Sequence, residues 1–214
     1  RTKFEIPPLN FINPGGFVKW IADGELSKGG DHLNFSLADL GEQVALYSRS
    51  KTLIEKVQTG QTEPGESEGR LPDGSSTIVA FTDTPTPGRS NYKPIESVVI
   101  NEVLTHTDPP YEDAIELRNL GEEPLDIGKW WLSNSRSKLR KYQIPAGTTL
   151  PARGTTVFYE HQFNPAPGAD HSFALNSAHG DKVILSAADS GGDLTGYRIT
   201  VEFDAAENGV SFGL

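Results

Sequence analysis

Three carboxylates lie close together in one short segment of the chain, Asp108, Glu112 and Asp113, around the dipeptide Pro109-Pro110. Carboxylate oxygens, with help from backbone carbonyls, are the ligands that calcium prefers in proteins. The spacing is not that of an EF-hand loop, and an acidic segment of this kind is also typical of an exposed loop. We therefore keep a calcium site as a candidate beside the exposed-loop interpretation, and we expect no other cofactor.

An Asp-His pair occurs twice, as Asp31-His32 and as Asp170-His171. A histidine of this kind can activate a serine or cysteine nucleophile, but no serine with a recognisable nucleophile motif accompanies either pair. The chain contains no cysteine, which excludes cysteine catalysis, thiolate zinc sites and disulfides. We expect each pair to be hydrogen-bonded within a loop. We predict no catalytic residue, and therefore no enzyme.

The two pairs belong to a longer internal repeat. KFEIP at Lys3 returns as KYQIP at Lys141, and GEQVALYS at Gly41 returns as GDKVILSA at Gly180. The shared segments follow one another in the same order in both stretches. Repetition of this kind predicts consecutive copies of one structural unit.

The alignment predicts two domains with different parts missing. Residues 1–94 correspond to the C-terminal two-thirds of a first β-sandwich, and residues 95–214 to a second that lacks its last strand or strands. A sandwich without these strands would expose apolar core and open sheet edges. Two sources of cover are open: a longer parent chain, or strands added by neighbouring chains.

Composition indicates an all-β protein. The 214 residues include 22 glycines and 15 prolines between short apolar runs, as expected of many short strands joined by turns. No apolar run is long enough to span a bilayer, so we expect no membrane insertion. The net charge of −10 disfavours nucleic acid as a partner, because binding to phosphates depends on clustered Lys and Arg.

Alternation of apolar and polar residues predicts which side chains face the core. The segment Ala114–Asn119 alternates strictly, which places Ile115 and Leu117 inward. The adjacent Trp130 and Trp131 should face opposite sides of a strand, one in the core and one exposed or covered by a loop. The predicted core of the second domain is Ile100, Val103, Ile115, Leu117, Leu132, Ile144, Val157, Leu175, Val183 and Leu185. Its counterpart in the first domain is Leu37, Val44 and Leu46.

Three segments in fixed order, Val98–Leu104, Ala114–Gly121 and Pro124–Ser133, resemble the lamin tail domain. They match its hydrophobic strand with Asn-Glu, its E-L-x-N-x-G strand and turn, and its D-L-x-G-W-x-L strand. Two further segments, Gly69–Gly74 and Thr84–Asn91, are similar to the R-x-P-D-G and T-P-G-x-x-N ending of bacterial members. The resemblance therefore extends over both copies and indicates the bacterial, extracellular type.

The resemblance implies an immunoglobulin-like β-sandwich in tandem and an extracellular or cell-surface location, with no catalytic residues to carry over. One hypothesis is a noncatalytic structural and interaction module in a tandem array, as in a surface layer or filament. The alternative is a binding module that delivers an attached secreted enzyme to carbohydrate, nucleic acid or a cell surface. The expected partners are neighbouring copies of the protein or adjacent domains of the parent chain. Fold alone does not choose between these hypotheses.

Overall fold

A computed structural model of the protein describes residues 3–8 and 10–213, and it is nearly all β. The chain divides into two compact units, unit 1 (residues 1–91) and unit 2 (residues 92–214). Within the described residues, no helix has the length and apolar character needed to cross a membrane.

Unit 1 contains two antiparallel hairpins and a single turn of 3-10 helix at Leu26–Lys28. The first hairpin joins β1 to β2 and the second joins β3 to β4. The strands are β1 (Gln43–Tyr47), β2 (Leu53–Gln58), β3 (Ser67–Arg70) and β4 (Ile78–Phe81).

The predicted core of the first domain is wrong in this structure. Leu37, Val44 and Leu46 are all exposed, whereas the buried side chains of unit 1 include Leu71 and Phe81. A two-stranded ribbon has no second layer of its own, so among the described residues nothing in unit 1 buries the apolar side chains of β1. A pattern that is typical of a core strand therefore lies on the surface.

Unit 2 carries the larger sheets and one short helix. Its elements are β5 (Lys93–Pro94), β6 (Val98–Leu104), β7 (Ala114–Asn119), β8 (Leu125–Asp126), β9 (Trp131–Ser133), β10 (Tyr142–Gln143), β11 (Thr149–Leu150), β12 (Thr155–Tyr159), α1 (Glu160–Phe163), β13 (Asp181–Ala188), β14 (Leu194–Phe203) and β15 (Ser211–Gly213).

Two sheets form the sandwich of unit 2. One has the order β10-β9-β13-β14-β5 and the other has the order β12-β7-β6-β15, while β11 and β8 form a separate pair. All the pairings are antiparallel except that between β14 and β5, which is parallel. The apolar side chains of both sheets join in one buried cluster, which confirms the immunoglobulin-like sandwich.

The core of unit 2 agrees with the alternation in the sequence at nine of the ten predicted positions, all except Val157. On β12 the residue that faces the core is Phe158. It pairs directly with the buried Ile115 of β7, and directly opposed residues of an antiparallel pair lie on the same face. Val157 therefore points away, opposite Glu116.

Candidate functional site

The acidic segment forms the connection between β6 and β7, and the structure does not bring its three carboxylates to one point. Glu112 Oε2 lies 2.7 Å from His161 Nδ1 and accepts a bond from the backbone N–H of His161 at 3.1 Å. Asp113 Oδ1 accepts a bond from the hydroxyl of Thr107 at 3.0 Å. Asp108 accepts a bond from the amide of Asn208.

The pKa values of Glu112 and Asp113 are shifted in opposite directions. Bonds from the backbone N–H of His161, and then from its ring, hold the pKa of Glu112 below its usual value. Burial raises the pKa of Asp113 above 3.8, and the Thr107 hydroxyl opposes that shift only in part. Across residues 3–8 and 10–213, no group of three or more Asp, Glu and His side chains is arranged to hold a metal ion. The calcium site at Asp108, Glu112 and Asp113 stays a prediction without geometric support.

One tyrosine lies in this connection and another lies next to it. Tyr111 precedes Glu112 and is 76% exposed, and the ring of Tyr159 stacks on that of His161 with centroids 6.2 Å apart. Because His161 is bonded to Glu112, the contact ties α1 to the β6–β7 connection. We call Tyr111, Tyr159 and His161 the tyrosine patch. Its parts are separated in the sequence, and no motif pointed to it.

The Asp-His pairs are not hydrogen-bonded as expected. His32 Nδ1 lies 2.9 Å from the carboxylate of Asp23, and Asp170 receives its bond from Lys138 at 3.0 Å. The backbone N–H of Glu25, followed by the His32 ring, lowers the pKa of Asp23. The bond is therefore made by the histidine in the first pair and by the aspartate in the second, so the two pairs do not share one arrangement.

The family model of the lamin tail domain matches residues 92–203, from the residue before β5 to the end of β14. The chain belongs to the lamin tail domain family. Family members are immunoglobulin-like structural and interaction domains, and the family is noncatalytic. Searches of curated proteins and of solved structures found no match.

The polar residues that mark the lamin tail motif have structural roles in unit 2. Asn119 is buried, and its amide donates to the carbonyl of Glu123 at 2.8 Å while its oxygen accepts the N–H of Gly121. Asn101 donates to Glu116 at 2.6 Å across the β6–β7 pair. These bonds fix the turn after β7 and the pairing of the two strands, because buried polar groups need partners.

The tryptophans of the lamin tail motif do not form an exposed stacking platform. Trp130 packs against the core, and Trp131 is half-buried with its indole N–H donating to the carbonyl of Gly192 at 2.9 Å. The turn that contains Gly192 therefore covers Trp131, which is one of the two arrangements that the alternation predicted. Trp20 of unit 1 is half-buried as well.

In unit 1, the segments that resemble the bacterial ending of the family contact each other. The amide of Asn91 donates to the carbonyl of Arg70 at 3.0 Å, and its backbone N–H donates to Asp73 at 3.0 Å. The hydroxyl of Thr86 donates to the oxygen of the Asn91 amide at 2.8 Å. These bonds join the turn after β3 to the end of unit 1, so the motif residues hold these two segments together.

The β1–β2 hairpin exposes apolar side chains on one face. Val44 and Leu46 are 38% and 44% exposed, and Val57 is half-buried opposite Val44. We call Val44, Leu46 and Val57 the apolar face of unit 1. Exposed apolar side chains grouped on one face are typical of a surface that another segment covers.

Proposed function

We propose that the protein is a noncatalytic structural and interaction module made of two consecutive lamin tail units, and that it acts outside a bacterial cell, in a surface layer or filament. The observation that carries the proposal is the agreement between two hairpins, β1–β2 in unit 1 and β13–β14 in unit 2. Consecutive copies of one unit suit a mechanical or spacing role, since repeated units can extend a chain along one direction.

The hairpins agree in register. Val44 pairs with Val57 as Val183 pairs with Val201, and in the aligned sequences these are the same positions. Leu46 pairs with Glu55 where Leu185 pairs with Ile199. A one-residue slip would exchange the faces of a strand, so equal register supports a common ancestry of the two hairpins.

The glycine before each hairpin adds independent support. Gly41 and Gly180 both have positive φ, +88° and +76°. A Cβ on either one would lie 2.4 Å from a carbonyl oxygen, that of Thr59 or that of Phe203. Only glycine fits such a position, and these carbonyls occupy matching places at the end of the second strand.

The tandem arrangement can be tested by NMR on the full chain. We expect cross-strand NOEs between Val44 and Val57 and, in the same sample, between Val183 and Val201. Absence of the first set with the second set present would show that unit 1 does not hold a lamin tail hairpin, and the tandem proposal would fail.

The noncatalytic role is tested separately by assaying the purified chain against glycosidase, esterase, nuclease and peptidase substrates. Turnover above that of buffer alone would contradict the noncatalytic role.

A second candidate, delivery of an attached enzyme to a carbohydrate surface, is favoured by the tyrosine patch, since exposed aromatic rings can stack on sugars. The test is co-sedimentation with insoluble cellulose, chitin and peptidoglycan. Delivery predicts retention that Tyr111→Ala with Tyr159→Ala abolishes, while Tyr197→Ala on β14 serves as the matched control, being 44% exposed elsewhere in unit 2. The structural proposal predicts that all variants stay in the supernatant.

A further inference from the structure

The apolar face of unit 1 has a counterpart in unit 2 that is fully covered. Val183 and Leu185, which match Val44 and Leu46 in the repeat, have no exposed surface. The difference does not come from the hairpins, because their register is the same. It comes from what packs on them.

In unit 2 the cover includes strands that precede the KYQIP segment. Inward residues of β6 and β7, including Ile100 and Leu117, share one buried cluster with Val183 and Leu185. In addition, β9 pairs along the free side of β13, with Leu132 opposite Leu185. The cover therefore supplies both an opposing layer and a strand that extends the sheet.

Unit 1 shows neither of these in its described residues. Strand β1 pairs with β2 alone, and the two form an isolated ribbon. An uncovered apolar face next to an open strand edge is the form that β-augmentation recognises, since the backbone pairs with the edge while side chains fill the face. The open edge of β1 would pair with a strand like β9, and the apolar face would be covered by a pair of strands like β6 and β7.

We propose that the apolar face of unit 1 is a docking surface for the front strands of a lamin tail unit, a segment with the pattern of residues 92–138. The inference rests on the tandem arrangement proposed above. In unit 2 the covering strands lie directly before Lys141, the counterpart of Lys3, so a segment of this pattern joined ahead of Lys3 would reach the apolar face. A connected segment also docks without the entropic cost of bringing two molecules together.

The experiment uses the full chain with a second copy of residues 92–138 placed ahead of Arg1. Hydrogen exchange, followed by mass spectrometry, measures amide protection in residues 43–58 of the native chain and of the extended chain. We expect exchange in this segment to slow by about tenfold or more, because opening the hairpin would then require undocking of the added strands. Binding of the dye ANS should fall in parallel.

The matched control is the same extended chain with Ile115→Asp and Leu117→Asp in the added copy only. These changes place charges where the added strands would face the hairpin, so the control should exchange like the native chain. Equal exchange in the extended chain and its control would overturn the proposal. So would a native chain that sediments as a dimer with residues 43–58 already protected, because a second copy would then cover the face.

Failure of this proposal can be told from failure of the tandem arrangement. If the cross-strand NOE between Val44 and Val57 is present and the extended chain gains no protection, the hairpin is correct and the docking proposal alone is wrong. If that NOE is absent, the tandem arrangement fails and the docking proposal fails with it.

Discussion

Truncation of one core side chain gives the sharpest test of the unit 2 sandwich. Leu185 lies at the centre of β13, has no exposed surface, and pairs with Leu132 on one side and Ile199 on the other. Leu185→Ala removes apolar contacts from both neighbours and from the opposite sheet. The expected cost is about 3 kcal/mol, within the range of about 2 to 5 kcal/mol for fully buried leucines.

The assay is urea unfolding followed by tryptophan fluorescence in a Trp20→Phe background. The remaining tryptophans, Trp130 and Trp131, both belong to unit 2, so the signal reports that unit alone. With a denaturant slope of about 2 kcal/mol per molar, the midpoint should fall by about 1.5 M. Leu120→Ala is the control, because Leu120 is 46% exposed on a turn and its truncation should cost no more than about 0.5 kcal/mol. If the two variants shift the midpoint equally, the placement of Leu185 in a closed core is wrong.

Three further predictions concern unit 2 and use the same unfolding assay. Gly180→Ala should lower the free energy of unfolding by about 3 kcal/mol, because the added Cβ clashes with the Phe203 carbonyl and the residue has positive φ. Gly209 also has positive φ but open space around it, so Gly209→Ala should lower the free energy of unfolding by only about 1 kcal/mol. Equal losses in the two variants would contradict the clash. Asp113→Asn should stabilise unit 2 at pH 7, because burial penalises the charged form of Asp113. The gain in stability should shrink as the pH falls through the raised pKa of the folded state towards 3.8. A gain that is independent of pH would refute the raised pKa of Asp113. Millimolar calcium should leave the midpoint unchanged, because Asp108, Glu112 and Asp113 have separate partners, and a concentration-dependent rise would restore the calcium site.

The sequence predicted the sandwich of unit 2 because its strands bury one face and expose the other. The alternation along β7 is strict, so Ile115 and Leu117 were placed inward correctly. On β12 the apolar residues Val157 and Phe158 are adjacent, and alternation alone does not decide between them. The register against β7 decides, and register is a property of the folded sheet.

Other features could not be predicted because they depend on contacts between distant residues. Glu112 and His161 are 49 residues apart, and neither belongs to a motif that would pair them. The exposure of Leu46 has a different cause. The alternation around Leu46 is typical of a side chain that faces a core. Leu46 is nevertheless exposed, because burial also requires a second sheet packed against β1.

The parallel pairing of β5 with β14 has a consequence for how such units behave at high local concentration. The edge strand on this side of the five-stranded sheet is β5, which is two residues long. It ends in Pro94, which has no N–H to donate to a further strand. At the opposite border β10 is also two residues long, and Pro145 follows it closely. Short borders with proline resist edge-to-edge association. Units of this kind can therefore lie close to one another without their five-stranded sheets pairing into one continuous sheet.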